Sequence, residues 1–169
     1  MRKSVLLPLA LLSSPLMAAD LKVTVDIPRL QVAEYHRPYV AIWLERPDQS
    51  HAADLAVWYD AKMKDKEGEK WLKDLRQWWR RSGRSLELPI DGVSGATRAA
   101  GSHTLAFDGS KAPLKDLSPG DYRLVVEAAR EVGGRELLRV PFSWPATEQQ
   151  TLQAQGESEL GTISVTVTP

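Results

Sequence analysis

The 169-residue sequence contains no cysteine. Disulfides, c-type haem attachment, iron–sulfur clusters and thiolate-bound zinc are therefore excluded. About 150 residues bury enough surface for one core without cross-links. Histidine is scarce: His36, His51 and His103 show no ligand spacing and no accompanying carboxylate cluster, so they offer no metal site. Long apolar runs are lacking as well. The run Val5 to Leu12 is too short to span a bilayer, and no transmembrane segment is expected.

That run has another use. Arg2 and Lys3 precede it, and Ser13, Ser14, Pro15 and the small pair Ala18-Ala19 follow it. These are the charged, apolar and cleavage regions of a secretory signal peptide. The expected organisation is a signal peptide over 1–19, cut after Ala18 or Ala19, and one domain over 20–169. The −3 position is Leu16 or Met17, neither small, so the two cuts stay open. With no cysteine after the run there is no lipoprotein anchor, and the mature chain is expected to be exported and periplasmic. Taking Arg2 and Lys3 from the 22 basic residues leaves 20 against 22 acidic ones, a net charge of −2. That balance gives no electrostatic basis for binding nucleic acid.

Period-2 patterning dominates what remains. Leu21 to Ile27 alternates apolar and polar residues as a half-buried strand does. Further β-rich runs cover Tyr39 to Glu45, Leu55 to Tyr59, Leu86 to Ile90, Thr104 to Phe107, Tyr122 to Ala128, Leu137 to Phe142 and Thr162 to Thr168. Turn signals such as Arg46-Pro47-Asp48, Ser118-Pro119-Gly120-Asp121 and Gly133-Gly134 separate them. The expected fold is an all-β sandwich, and Leu117 to Ala128 resembles strands of immunoglobulin-like and transthyretin-like sandwiches. The polar stretch 145–159, rich in Gln, Glu and Thr, reads as a mobile loop.

One segment departs from this pattern. Trp71, Leu72, Leu75, Trp78 and Trp79 share one helical face, and Gly83 is placed to end the helix. The spacing predicts an inserted Trp-rich amphipathic helix over about 69–82, packed on the sandwich. Its opposite face carries Lys70, Lys73, Arg76, Arg80 and Arg81, which reads as a solvated surface.

The chemistry-bearing string is Asp91-Gly92-Val93-Ser94-Gly95-Ala96-Thr97. It is a near miss of the Gly-x-Ser-x-Gly nucleophile elbow, with Ala96 in the last position. The elbow needs a strand–turn–helix context, and a strand pattern follows here instead. As Asp-x-x-Ser-Gly-Ala-Thr, the same string resembles the acceptor motif of proteins that carry FMN covalently, through a phosphoester to the final Thr or Ser. The resemblance implies Thr97 as acceptor, with Asp91, Gly92, Ser94, Gly95 and Ala96 forming its motif. Glycines permit tight backbone, and Ala96 leaves no bulk beside the hydroxyl. Arg98 is the expected neighbour of the phosphodiester charge. Trp78 or Trp79, on a helix ending ten residues before Asp91, is the expected border of the flavin ring.

Beyond the motif, the chain resembles a family of predicted periplasmic proteins, domain of unknown function 2271. The likeness is carried by Ala33 to Trp43, Ala56 to Asp60, Trp71 to Arg80, Asp91 to Thr97 and Tyr122 to Arg135. It implies a flavinylated extracytoplasmic electron carrier rather than a stand-alone enzyme. An FMN transferase would load it, and a membrane reductase with a PepSY-type domain would donate electrons. The alternative is a flavin-free β-sandwich module that binds a protein or envelope ligand. Thr97 separates the two, since only the carrier requires its hydroxyl.

Overall fold

The computed structural model describes residues 18–169. The expected signal peptide lies outside them, except for Ala18 and Ala19. The described chain is mostly β, with nine strands in two sheets. These are β1 (Asp20–Ile27), β2 (Tyr39–Glu45), β3 (His51–Tyr59), β4 (Ser94–Ala96), β5 (Gly101–Phe107), β6 (Gly120–Ala129), β7 (Arg135–Trp144), β8 (Gln150–Gln155) and β9 (Thr162–Thr168). The four-stranded sheet has the order β5-β1-β9-β8, and the five-stranded sheet has the order β4-β3-β2-β6-β7. Neighbours are antiparallel except β4, which runs parallel to β3.

The alternation in β1 works as the sequence requires. Leu21, Val23, Val25 and Ile27 are buried while Lys22, Thr24 and Asp26 are not. Val23, Val25, Ile163 and Val165 of one sheet meet Val40, Ile42, Leu55 and Val126 of the other in one core. The five-stranded sheet is also covered on its outer face. There Ala41, Trp43, Val57, Tyr59 and Val125 pack against Leu72, Leu75, Trp78 and Leu88 in a second core. Burial on both faces explains why Tyr39 to Leu44 is continuously apolar.

The outer cover differs from the single helix expected. A 3₁₀ segment, Lys64–Asp74, kinked at Asp65 (φ 53°) and Lys66 (φ 56°), is followed by a short α-helix, α1 (Arg76–Arg81), with the break at Leu75 (φ −74°, ψ 71°). The wholly buried Glu127 of β6 receives the start of α1: its carboxylate accepts hydrogen bonds from the backbone N–H of Gln77 (3.1 Å) and Trp78 (2.8 Å). Arg135 Nη1, 2.7 Å away, balances its charge.

Two other expectations are corrected. Leu86 to Ile90 forms no strand. Pro89 offers no N–H to a ladder, and Leu86, Leu88 and Ile90 pack on the outer core instead. Residues 145–159 are not one loop, because β8 pairs antiparallel with β9 at the sheet edge. Its polar, only half-buried alternation (Leu152 and Ala154 inward) suits an edge strand.

Candidate functional site

The string 91–97 forms a turn and then an edge strand. Ser94 ties the turn: its backbone N–H donates to the Ile90 carbonyl (2.8 Å), and its Oγ accepts from the Ile90 N–H (2.9 Å). Asp91 is exposed and, among the described residues, has no side-chain hydrogen bond. Gly92 takes φ +76°, a conformation that side chains with a Cβ resist. Ser94, Gly95 and Ala96 then pair in parallel with Val57, Trp58 and Tyr59. Gly95 is different from Gly92. A Cβ there would meet nothing nearer than the Trp58 Cδ1 at 3.4 Å, and its φ is not left-handed.

Thr97 follows β4, half-buried, on the wall of a cavity of about 880 Å³. The walls come from one end of the five-stranded sheet. Tyr39 begins β2, Asp60 follows β3, Thr97 follows β4, and Ala129 ends β6. The 3₁₀ helix closes the cavity with Glu67, Lys70, Trp71 and Asp74. Its size falls within the range of small-molecule and cofactor sites. A second cleft of about 550 Å³ adjoins it, sharing Tyr35 and Arg37 and lined also by Ala99 and Ala100.

The lining is aromatic and charge-mixed. Among the described residues, five large apolar side chains stand exposed: Val32, Tyr35, Met63, Trp71 and Val132. All but Val32 line the cavity that holds Thr97. Arg37, Lys70 and Arg130 bring positive charge; Asp60, Glu67, Asp74 and Glu131 bring negative charge. Arg130 is rigidly held, with Nε and Nη2 donating to the Glu159 carboxylate at 2.9 and 3.1 Å. Its side chain is 6% exposed, and its Nη1 is buried without a hydrogen-bond partner. Burial pushes the Tyr39 phenol up to about 12, so it stays protonated and donates to the Gly68 carbonyl at 3.0 Å.

The remaining sequence candidates sit elsewhere. Arg98 lies 5.2 Å from the Trp58 ring centroid, a cation–π contact, and does not line the cavity. Arg37, Lys70 and Arg130 are the cationic residues found on its wall. Trp78 is wholly buried, with Nε1 donating to Asp54 Oδ1 at 2.8 Å, and Trp79 packs partly buried beside it. Neither lines the cavity; the tryptophan on its wall is Trp71. Helical spacing had put Trp71 on the buried stripe. The 3₁₀ winding of three residues per turn and the break at Leu75 turn it outward, 52% exposed. Tyr35 and Arg37, just before β2, lie in a string that carries the family likeness, but no site role was assigned to them from the sequence.

Among the described residues the Thr97 hydroxyl makes no hydrogen bond, and the cavity presents exposed aromatic faces at Trp71 and Tyr35; of its cations, Lys70 is paired with Glu67 (3.3 Å) and Arg130 with Glu159 (2.9 Å), and Arg37 is a third on the wall. Among the described residues, no group of three or more His, Asp or Glu side chains is placed to hold a metal ion. No helix among them is long and apolar enough to cross a membrane.

No curated protein and no solved structure matches the chain. One family model does, over residues 20–162, described as "Predicted periplasmic protein (DUF2271)". The match spans most of the sequence, strands β1 to β8 and every wall of the cavity, and the chain belongs to this family.

Proposed function

We propose that this protein is an exported flavoprotein that carries FMN covalently at Thr97 and relays electrons outside the cytoplasmic membrane. The observation that carries the reading is the motif's independence of the fold. Gly92 and Ser94 serve the turn and the backbone of Gly95 and Ala96 pairs with β3, but Gly95 has room for a Cβ, and among the described residues the Asp91 and Thr97 side chains make no hydrogen bond. Residues specified by a motif yet not required by the fold suit recognition by another protein, here an FMN transferase.

In the loading step, Thr97 Oγ attacks the FMN phosphorus of FAD. An Oγ–P bond forms, the pyrophosphate bond breaks, AMP leaves, and the hydroxyl proton passes to a base of the transferase. Catalysis of such steps is mostly positioning and charge neutralisation, and the transferase supplies both. This chain supplies a slim acceptor strand and a cavity for the product. Bound FMN supplies the electron-carrying chemistry. The residues lining the cavity would flank the cofactor and set the charge around it.

The two-sheet architecture is consistent with an immunoglobulin-like or transthyretin-like sandwich forming one domain over 20–169, after a signal peptide removed at Ala18 or Ala19. A membrane reductase with a PepSY-type domain is the electron donor this reading calls for. A flavin-free binding module is the second reading, favoured by the exposed Met63 and Val132 at the same cavity. The test is co-expression with an FMN transferase, followed by in-gel flavin fluorescence of the denatured chain. The carrier predicts a fluorescent band lost in Thr97→Val. A dark wild-type band beside an active transferase leaves the binding module.

A further inference from the structure

We propose that Trp71, assisted by Tyr35, is the stacking platform for the flavin ring; this rests on Thr97 being the attachment point. The packing of the 3₁₀ helix is complete without Trp71. Leu72 and Leu75 are fully buried beneath it, and Glu127 receives the start of α1 that follows. Trp71 instead leaves half its surface open on the wall that Thr97 shares. A large aromatic side chain exposed without a packing role marks a binding surface.

The occupant is identified by chemistry and by tether. Trp71, Tyr35, Met63 and Val132 form an apolar, partly aromatic lining that suits a planar ring system. Arg37, on the same cavity, suits the phosphoester end of that ligand, whereas Lys70 is paired with Glu67 at 3.3 Å. A ring anchored at Thr97 is confined to this neighbourhood at high effective concentration, so even a modest stacking surface holds it. Trp78 and Trp79 serve the outer core and take no part.

The experiment compares wild type, Trp71→Ala, Trp71→Phe and Trp79→Ala, each co-expressed with an FMN transferase. Intact mass gives the loaded fraction, and flavin emission and iodide quenching are then read per loaded flavin. Stacking on tryptophan quenches flavin emission, so Trp71→Ala should raise it several-fold and open the ring to iodide. Trp71→Phe keeps the flat surface and should keep the ring shielded, and Trp79→Ala should match wild type. Trp71 is half exposed, so its variants should keep the wild-type thermal transition. Unchanged emission and iodide access in a loaded, folded Trp71→Ala protein would overturn the platform while leaving Thr97 in place. A wild-type chain that takes no flavin overturns the attachment itself and this inference with it.

Discussion

Gly92 and Gly95 sit three residues apart and answer to different masters. Gly92, at φ +76°, is required by the backbone, so Gly92→Ala should destabilise the protein by about 1 kcal/mol, read by chemical denaturation. Gly95 has room for a methyl group, so Gly95→Ala should change stability by less than about 0.5 kcal/mol while sharply reducing flavin loading. Equal loading in Gly95→Ala would mean that the motif glycine has no role in recognition. Thr97 could be singled out as a candidate because its motif is local in sequence. Trp71 was not, because its exposure depends on a 3₁₀ turn and a break at Leu75 that helical spacing does not encode. Asp54 gives a pH-dependent prediction at the same scale. Burial raises its pKa, but hydrogen bonds and charge from His51, Ser82 and Trp78 outweigh this and hold it below the ordinary carboxylate value. A lowered folded-state pKa adds stability above the unfolded value, and that stability is lost as pH falls through the folded one. The stability gap between wild type and Asp54→Asn should be full at neutral pH and shrink below about pH 4. A constant gap down to acid pH would contradict this.

Elements are tied together by buried groups that bridge sheet and cover. Glu127 joins β6 to the start of α1, and truncating it leaves two backbone N–H groups without their acceptor. Glu127→Ala should cost about 1–3 kcal/mol. Trp78→Ala should cost about 3–5 kcal/mol, because it empties the centre of the outer core. Both are measured by urea unfolding, and both should spare Thr97, which follows a separate strand, β4. Strands with strong period-2 or continuous apolar patterns, such as β1, β2 and β6, were readable from sequence. β4 was not, since Ser-Gly-Ala has no strand propensity and is held by its parallel pairing to β3. β8 was hidden because an edge strand half in water needs little apolar content. Leu86 to Ile90 misled in the other direction: its apolar residues cover a sheet rather than join one.

The whole molecule places its candidate site where several weakly patterned segments meet. The strands that fix the two cores are the legible part of the sequence. The cavity forms where those strands end, between residues that lie far apart along the chain. Tyr35, Trp71, Thr97 and Arg130 come from four different segments, so no local pattern announces them together. The family match over 20–162 fits this picture, as it spans every segment that lines the cavity. Attachment at Thr97 is the central claim. Its most direct test is intact mass with peptide mapping of the mature chain, purified from the periplasm of a host co-expressing an FMN transferase. The account predicts a mass gain of FMN less one water, on the peptide containing Thr97, and no gain in Thr97→Val. An unmodified wild-type chain, from cells whose transferase loads another substrate, would contradict it.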